Sequence, residues 1–216
     1  MIAAQQQPLL PAFQHAQGIR VRVYRALMAE TKLQRKIECA RCLLRHGTDD
    51  FIERFESAAY ATAAPEVSVI ITLFNYAHMA LETLDSIIAS VGVDLEIVVV
   101  DDHSTDTGRE TVRQFIAAHP ETPMLLLGCD VNRGLPAARN LGFEHARAGK
   151  VMVMDADNLV YPSALRKIAD ALDADPAAAF AYSTLEEFGI APGVRSAMAW
   201  HVPWLCDRNY IDAQAM

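Results

Sequence analysis

No apolar run in this 216-residue chain approaches the ~18 to 20 residues that a bilayer-spanning helix needs, the longest being strand-length pieces such as Val67 to Phe74. No membrane span is therefore expected within it. Positive charge is also scarce: 19 Lys and Arg stand against 27 Asp and Glu, a formal net charge of -8. That balance excludes a surface built to hold nucleic-acid backbones, which depends on clustered Lys and Arg. Residues Met1 to Pro11 have neither a basic start nor a long apolar stretch, so no secretory signal is visible and the cytoplasm is the expected compartment. Two nucleotide motifs are missing as well. No G-x-G-x-x-G follows the first strand and no G-x-x-x-x-G-K-[ST] occurs anywhere, which leaves neither a dinucleotide site nor a P-loop supported. Cysteine numbers only 4. Cys39 and Cys42 sit near His46 at a zinc-like spacing, but they lie in a helical pattern with no second cysteine pair after them, which reads as ordinary free cysteines.

What the chain does have is apolar residues, 52% of the total, enough for one full core and a small appendage. From about Ile19 to Tyr60 the apolar positions follow a helical period: Leu27, Leu33, Ile37 and Leu43, then Phe51, Ile52 and Phe55 after Gly47-Thr48-Asp49. Residues 1–64 are expected to form a helical extension that ends in the small-residue linker Ala61 to Pro65. A domain covering 65–216 follows. In it strand-length apolar runs alternate with helical segments: Val67 to Leu73, Met79 to Ala89, Leu95 to Val100, Thr107 to His119, Met124 to Leu127, Pro136 to Arg147 and Val151 to Met154. Helix Ser163 to Leu172 and a short strand Ala178 to Ser183 complete the series, with an irregular stretch around Trp200, Pro203 and Trp204. This order means an α/β fold, a mostly parallel sheet flanked by helices. Strands apolar at successive positions, such as Ile97-Val98-Val99-Val100, imply burial on both faces. Asp106 or Ser104 suits the cap of the helix that ends at His119.

Ligands of such sheets bind outside the carboxyl ends of the strands. Those ends are acidic here: Val98-Val99-Val100 runs into Asp101-Asp102, and Val151 to Met154 runs into Asp155-Ala156-Asp157. Any single strand-end aspartate equally suits a helix cap or a turn. Two clusters converging on one crevice repel each other unless a cation or strong donors occupy it, and a divalent metal is the economical occupant. Hard oxygen ligands in small number suit Mg²⁺ or Mn²⁺, whose remaining positions go to water and diphosphate oxygens.

Four segments in order then resemble a family-2 glycosyltransferase of the GT-A fold. They are VSVIITLFN (Val67 to Asn75), EIVVVDDHSTD (Glu96 to Asp106), NRGLPAARNLG (Asn132 to Gly142) and the Asp-x-Asp of MDADN (Met154 to Asn158). The resemblance covers about Glu66 to Met216. It implies an inverting, metal-dependent transfer of a sugar from a nucleotide-diphospho-sugar, a UDP-sugar foremost, to the hydroxyl of a saccharide or other acceptor. By the same resemblance Phe74 stacks on the base, Asp102 accepts hydrogen bonds from it, and Thr72 and Asn75 shape the turn. Asp101 belongs to the same site, Arg139 faces the phosphates, Asp155 contacts ribose or metal, and Asp157 ligates Mn²⁺ or Mg²⁺. Two departures stand out: Thr72-Leu73-Phe74 replaces the usual Pro-Thr-Tyr, and His103 stands where Gly is usual.

In proteins of this kind the base that deprotonates the acceptor lies in an acidic motif well downstream of the Asp-x-Asp. No match to it occurs here, and NYIDAQAM (Asn209 to Met216) looks like a strand entering the acceptor half. The expectation is a donor-binding half, truncated before the acceptor-binding half, that lacks the catalytic base and binds a donor without glycosylating an acceptor, with Glu186 and Glu187 the nearest substitutes. A non-catalytic nucleotide-sugar-binding module completed by another chain is the alternative. A nucleotidyltransferase is disfavoured by the lack of a Gly-rich basic loop after Ile71, and a receiver domain by acids that end the second strand rather than the first.

Overall fold

A computed structural model of the chain describes residues 52–189, 192–195 and 216. The early part of the expected helical extension, Cys39, Cys42, His46, the Trp200 to Trp204 stretch and most of Asn209 to Met216 lie outside the described residues. The chain divides into two units, and everything below concerns the second, Phe51–Met216.

Five strands form one sheet: β1 (Ile52–Glu56), β2 (Val67–Leu73), β3 (Leu95–Asp101), β4 (Met124–Cys129) and β5 (Lys150–Asp155), in the order β1-β4-β3-β2-β5. The last four run parallel, and β1 pairs antiparallel with β4 from Ile52↔Cys129 to Glu56↔Leu125. Helices α1 (Ala77–Ile88), α2 (Gly108–Ala118), α3 (Leu135–His145) and α4 (Ala164–Ala174) connect or follow the strands. The chain steps outward from β2 to β3 to β4, then returns across β2 to lay down β5. That reversal puts the topological switch point, where ligands of open α/β sheets bind, at the carboxyl ends of β2 and β5.

All seven residues of β2 are buried, as are all six of β4, so the successive apolar positions do fill both faces. On one face Val69, Ile71, Ile97 and Leu126 pack with Leu84 and Ile87 of α1, Val112 and Ile116 of α2, and Leu165 and Ile168 of α4. The other face carries Val98, Val100, Leu125 and Leu127 with Ala138 of α3 and Tyr60 of a short 3-10 turn. Helix α3 lies close against β2: a Cβ added at Gly142 would sit 2.3 Å from Ile70 Cγ2. Gly142→Ala is expected to cost about 1 to 3 kcal/mol through overpacking, read as a lower denaturation midpoint with unchanged m-value.

Beneath α3 lies a buried charge. Glu96, fully buried on β3, accepts Ser68 Oγ at 2.5 Å, the Arg147 backbone N–H at 2.7 Å and Arg147 Nε at 2.7 Å. Arg147 in turn lies over the Tyr60 ring, 4.0 Å from its centroid, and burial raises the pKa of the Tyr60 hydroxyl.

Two expected elements take another form. Of the Phe51, Ile52, Phe55 group, Phe51 lies outside the described residues, and Ile52 and Phe55 are not helical but belong to β1, so the sheet starts ahead of the boundary expected at residue 65. A five-residue run carries too little periodicity to separate the two states. The exposed edge of β4 decides it by pairing the backbone of β1, while Arg113 covers Phe55 at 5.2 Å and ion-pairs with Glu53. Ala178 to Ser183 is irregular rather than a strand. Among the described residues only Ala181 finds a ladder partner, exchanging both backbone bonds with Met216 at 2.8 and 3.0 Å. A hairpin of β6 (Leu185–Glu187) and β7 (Gly193–Arg195) follows. No helix among the described residues is long and apolar enough to cross a membrane.

Candidate functional site

The loop after β2 and the loop after β3 are built as one unit. Asn75 takes the left-handed conformation, φ 61°, which an Asn tolerates better than most residues. Its Oδ1 accepts the Thr105 N–H at 2.8 Å, the Thr105 hydroxyl at 3.1 Å and the Asp106 N–H at 3.3 Å. Its own N–H donates to Ser104 Oγ at 3.0 Å. Asp106 joins two helix starts, accepting the Ala77 N–H of α1 at 3.0 Å and the Gly108 N–H of α2 at 2.8 Å. The expected capping role of Asp106 is met, and it extends to a helix the sequence did not suggest.

The two adjacent aspartates divide the remaining work. Asp101 is fully buried; it accepts Arg109 Nε at 2.6 Å and the Ser104 N–H at 3.2 Å. Expected among the ligand-contacting groups, Asp101 is closed to solvent here and bonded to Arg109, and it supports the loop from beneath. Arg109 also donates to the Cys129 carbonyl at 2.5 Å, lying so close over Gly128 that a Cβ there would meet the guanidinium at 2.9 Å. Asp102 is nearly as buried, and its two oxygens accept the Arg133 and Gly134 N–H groups at 2.7 Å each. Its carbonyl takes Asn132 Nδ2 at 3.0 Å. Gly134, at φ 83°, lets the chain turn from these bonds directly into α3, with Pro136 in the first turn. Asp102 thus ties the β4–α3 loop to the end of β3. Burial, followed by the nearby Asp102 charge, pushes the Cys129 thiol up to about 11.

At the switch point Thr72 of β2 and Asp155 of β5 are paired in register, and Thr72 Oγ1 donates to Asp155 Oδ1 at 3.3 Å. Arg139, projecting from α3, donates to the same oxygen at 2.9 Å. Three of the expected site residues therefore meet at one carboxylate. Asp157, half-buried one residue beyond Ala156, forms no hydrogen bond or ion pair among the described residues. The turn that carries it is held from below by α1. Thr83, fully buried, donates to the Ala156 carbonyl at 2.9 Å, and Ser86 Oγ accepts the Val160 N–H at 3.2 Å. Phe74 sits at the open side with 44% of its surface exposed.

Farther along, Glu186 accepts the Tyr161 hydroxyl and Glu187 pairs with Arg195. The hydrogen bond to Glu186 raises the pKa of Tyr161. No group of three or more His, Cys, Asp or Glu placed to hold a metal occurs among the described residues. The donors at hand are the two carboxylates of Asp155 and Asp157, hard oxygens of the type that Mg²⁺ and Mn²⁺ take in ones and twos, filling the rest of the shell with water and phosphate oxygens.

Sequence reading had not singled out Thr83, Ser86, Arg109 or Asn132 as parts of this framework. Ser86 and Thr83 lie on α1 with no local sign of a loop partner, and long-range bonds of this kind leave no periodic trace. Asn132 did carry a signal, as the first residue of the NRGLPAARNLG segment.

Comparison with known proteins bears on the same residues. Residues 68–204 match the profile of "Glycosyl transferase family 2". Among curated relatives, the succinoglycan biosynthesis protein ExoO of Rhizobium meliloti is 36% identical over 110 residues, which is 51% of this chain and 30% of ExoO. The uncharacterized glycosyltransferase YibD of Escherichia coli is 34% identical over 98 residues, 45% of this chain and 28% of YibD. The chain thus spans about a third of the length of the relatives it matches. Among solved structures, the mannosyltransferase PcManGT of Pyrobaculum calidifontis, in complex with GDP-Man and Mn²⁺, is 30% identical with a TM-score of 0.51, over 64% of this chain and 40% of that one. The profile match takes in β2 to β5 and every residue of the crevice, and on that ground the chain belongs to glycosyl transferase family 2.

Proposed function

We propose that this chain binds a nucleoside-diphosphate sugar at the β2–β5 switch point together with Mn²⁺ or Mg²⁺, as the donor site of an inverting glycosyltransferase acting on an acceptor hydroxyl. The observation that carries the reading is the meeting of Thr72, Arg139 and Asp155 at one end of a crevice whose other aspartate, Asp157, has no partner among the described residues. PcManGT, solved with GDP-Man and Mn²⁺, lends support as a relative of the same fold.

Each residue has a chemical task in this reading. The exposed ring of Phe74 stacks on the nucleobase, and the Asp102 carboxylate, held by two N–H groups, accepts from the base edge. Asn75 keeps the turn in its left-handed form. The Arg139 guanidinium lies beside the diphosphate and, by pairing Asp155 Oδ1, keeps the second oxygen of that carboxylate available for ribose or metal. Asp157 supplies a hard anionic ligand. A divalent ion in this place neutralises the diphosphate and stabilises it as a leaving group. Transfer with inversion also requires a carboxylate to take the acceptor proton. Glu186 and Glu187 are both engaged, with Tyr161 and Arg195, and neither is assigned that role.

Titration calorimetry with UDP, GDP, ADP and CDP tests the reading. One of them, UDP foremost, is expected to bind in Mn²⁺ and to weaken about tenfold or more once a chelator removes the ion. Equal affinity in the two conditions would refute metal-bridged binding, and no affinity for any of the four would refute the donor site.

A further inference from the structure

Among the residues of the crevice, His103 stands apart. It is a non-glycine residue at φ 64°, a conformation that costs side-chain-bearing residues free energy and that Gly adopts freely. Asn75, the other such residue, repays its conformation with four hydrogen bonds. His103 has no equivalent: its side chain is exposed and makes no hydrogen bond, ion pair or ring contact among the described residues. A strained residue without an intramolecular reward, at the carboxyl end of a central strand, is the pattern of a group retained for a ligand.

Its neighbours indicate which part of a ligand. Asp101 before it is buried and bound to Arg109, and Asp102 is bound to Arg133 and Gly134, so His103 is the exposed member of this strand end. Across from it, Phe74 is the exposed residue at the end of β2. The two loops are fixed to each other by the Asn75 N–H bond to Ser104 Oγ at 3.0 Å and the Asp102 N–H bond to the Leu73 carbonyl at 2.9 Å. Two exposed aromatic side chains thus stand on adjacent loops that hydrogen bonds join, and no ring contact is made between them. A planar base held between two rings needs them about 7 to 8 Å apart, twice the optimal carbon–carbon separation.

Resting on the donor-site reading above, we propose that His103 forms the second wall of the nucleobase slot, stacking opposite Phe74, and so helps set which base the chain accepts. The imidazole face is the working element, since stacking is tolerant of a ring's heteroatoms.

The test compares the parent with His103→Gly, His103→Phe and Phe74→Ala, by calorimetry with UDP, GDP, ADP and CDP in Mn²⁺ and by thermal melting. His103→Gly relieves the left-handed backbone and is expected to melt about 1 to 3 °C higher, which keeps lost affinity distinct from lost folding. The same variant is expected to bind the preferred nucleotide about tenfold more weakly, while His103→Phe stays within about twofold of the parent. Parent-like affinity in His103→Gly, with Phe74→Ala weakened, overturns the role of His103 and leaves the donor site standing. Equal weakness in the Gly and Phe variants overturns stacking. If the parent binds none of the four, the donor-site reading falls, and this inference with it.

Discussion

Arg147→Ala is expected to lower the stability of the sheet unit by about 2 to 3 kcal/mol, a fall in melting temperature of roughly 5 to 10 °C. The reason is the asymmetry of a buried ion pair. Glu96 has no solvent exposure, whereas the Arg147 side chain keeps 32% of its surface, so removing the arginine strands a carboxylate that water does not reach. The remaining Ser68 hydroxyl and Arg147 backbone N–H soften the loss, which places the value at or below the lower end for a broken buried pair. The truncated side chain also uncovers Tyr60, so packing is lost along with charge. Glu96→Gln keeps an acceptor for Ser68 and the backbone and is expected to cost about 1 kcal/mol, the size of an ordinary hydrogen bond. Thermal melts of the two variants decide the matter: an Arg147→Ala protein as stable as the parent would show that Glu96 is satisfied without its partner.

Asp157→Ala is expected to remove most of the metal-dependent part of nucleotide affinity, a loss of about 10- to 100-fold in the presence of Mn²⁺, and to leave the weak binding measured in chelator unchanged. The two aspartates of the Asp-x-Asp turn are placed to behave differently. Asp155 carries two intramolecular bonds on one oxygen, from Thr72 and Arg139, so Asp155→Ala also frees the guanidinium and changes binding both with and without metal. Asp157 carries none among the described residues, so its removal disturbs little within the chain. Paired titrations of both variants, with and without chelator, separate a ligand from a residue that positions an arginine. Unaltered Mn²⁺-dependent affinity in Asp157→Ala would remove it from the metal site.

The sheet was legible in the sequence wherever burial left no freedom. Runs such as VSVIITL and MLLLGC have no polar face to present, and the helices between them were placed to within three residues at their starts and ends. Reading failed where a local pattern was short and its partner distant. Ile52 and Phe55 fit one turn of helix as well as one edge strand, and what decides between them is the unpaired side of β4, some seventy residues later along the chain. The Ala178 to Ser183 run had strand-like composition but, among the described residues, no ladder beyond Ala181. At the candidate site, residue type pointed to loops that the structure brings together and left the division of labour unresolved. Asp101 and Asp102 are adjacent and chemically identical, yet one binds an arginine beneath the loop and the other two backbone amides beside it. Both are buried, and only the packed neighbours show which donors each carboxylate meets.

The antiparallel edge strand has a consequence for how the chain reaches this structure. During synthesis β1 emerges first, but it has no partner until β4 exists, because its register runs from Ile52↔Cys129 to Glu56↔Leu125. Closing so long a loop is entropically costly, so the parallel core of β2, β3 and β4 assembles first and β1 docks late. Until it docks, β4 presents an open row of N–H and C=O groups flanked by Leu125, Leu126 and Leu127, the kind of edge that recruits another chain. The charges carried by β1, Glu53, Arg54 and Glu56, then serve a second purpose. Once in place they make the outer edge a poor template for further pairing, so that five residues ahead of the main fold act as a guard against self-association.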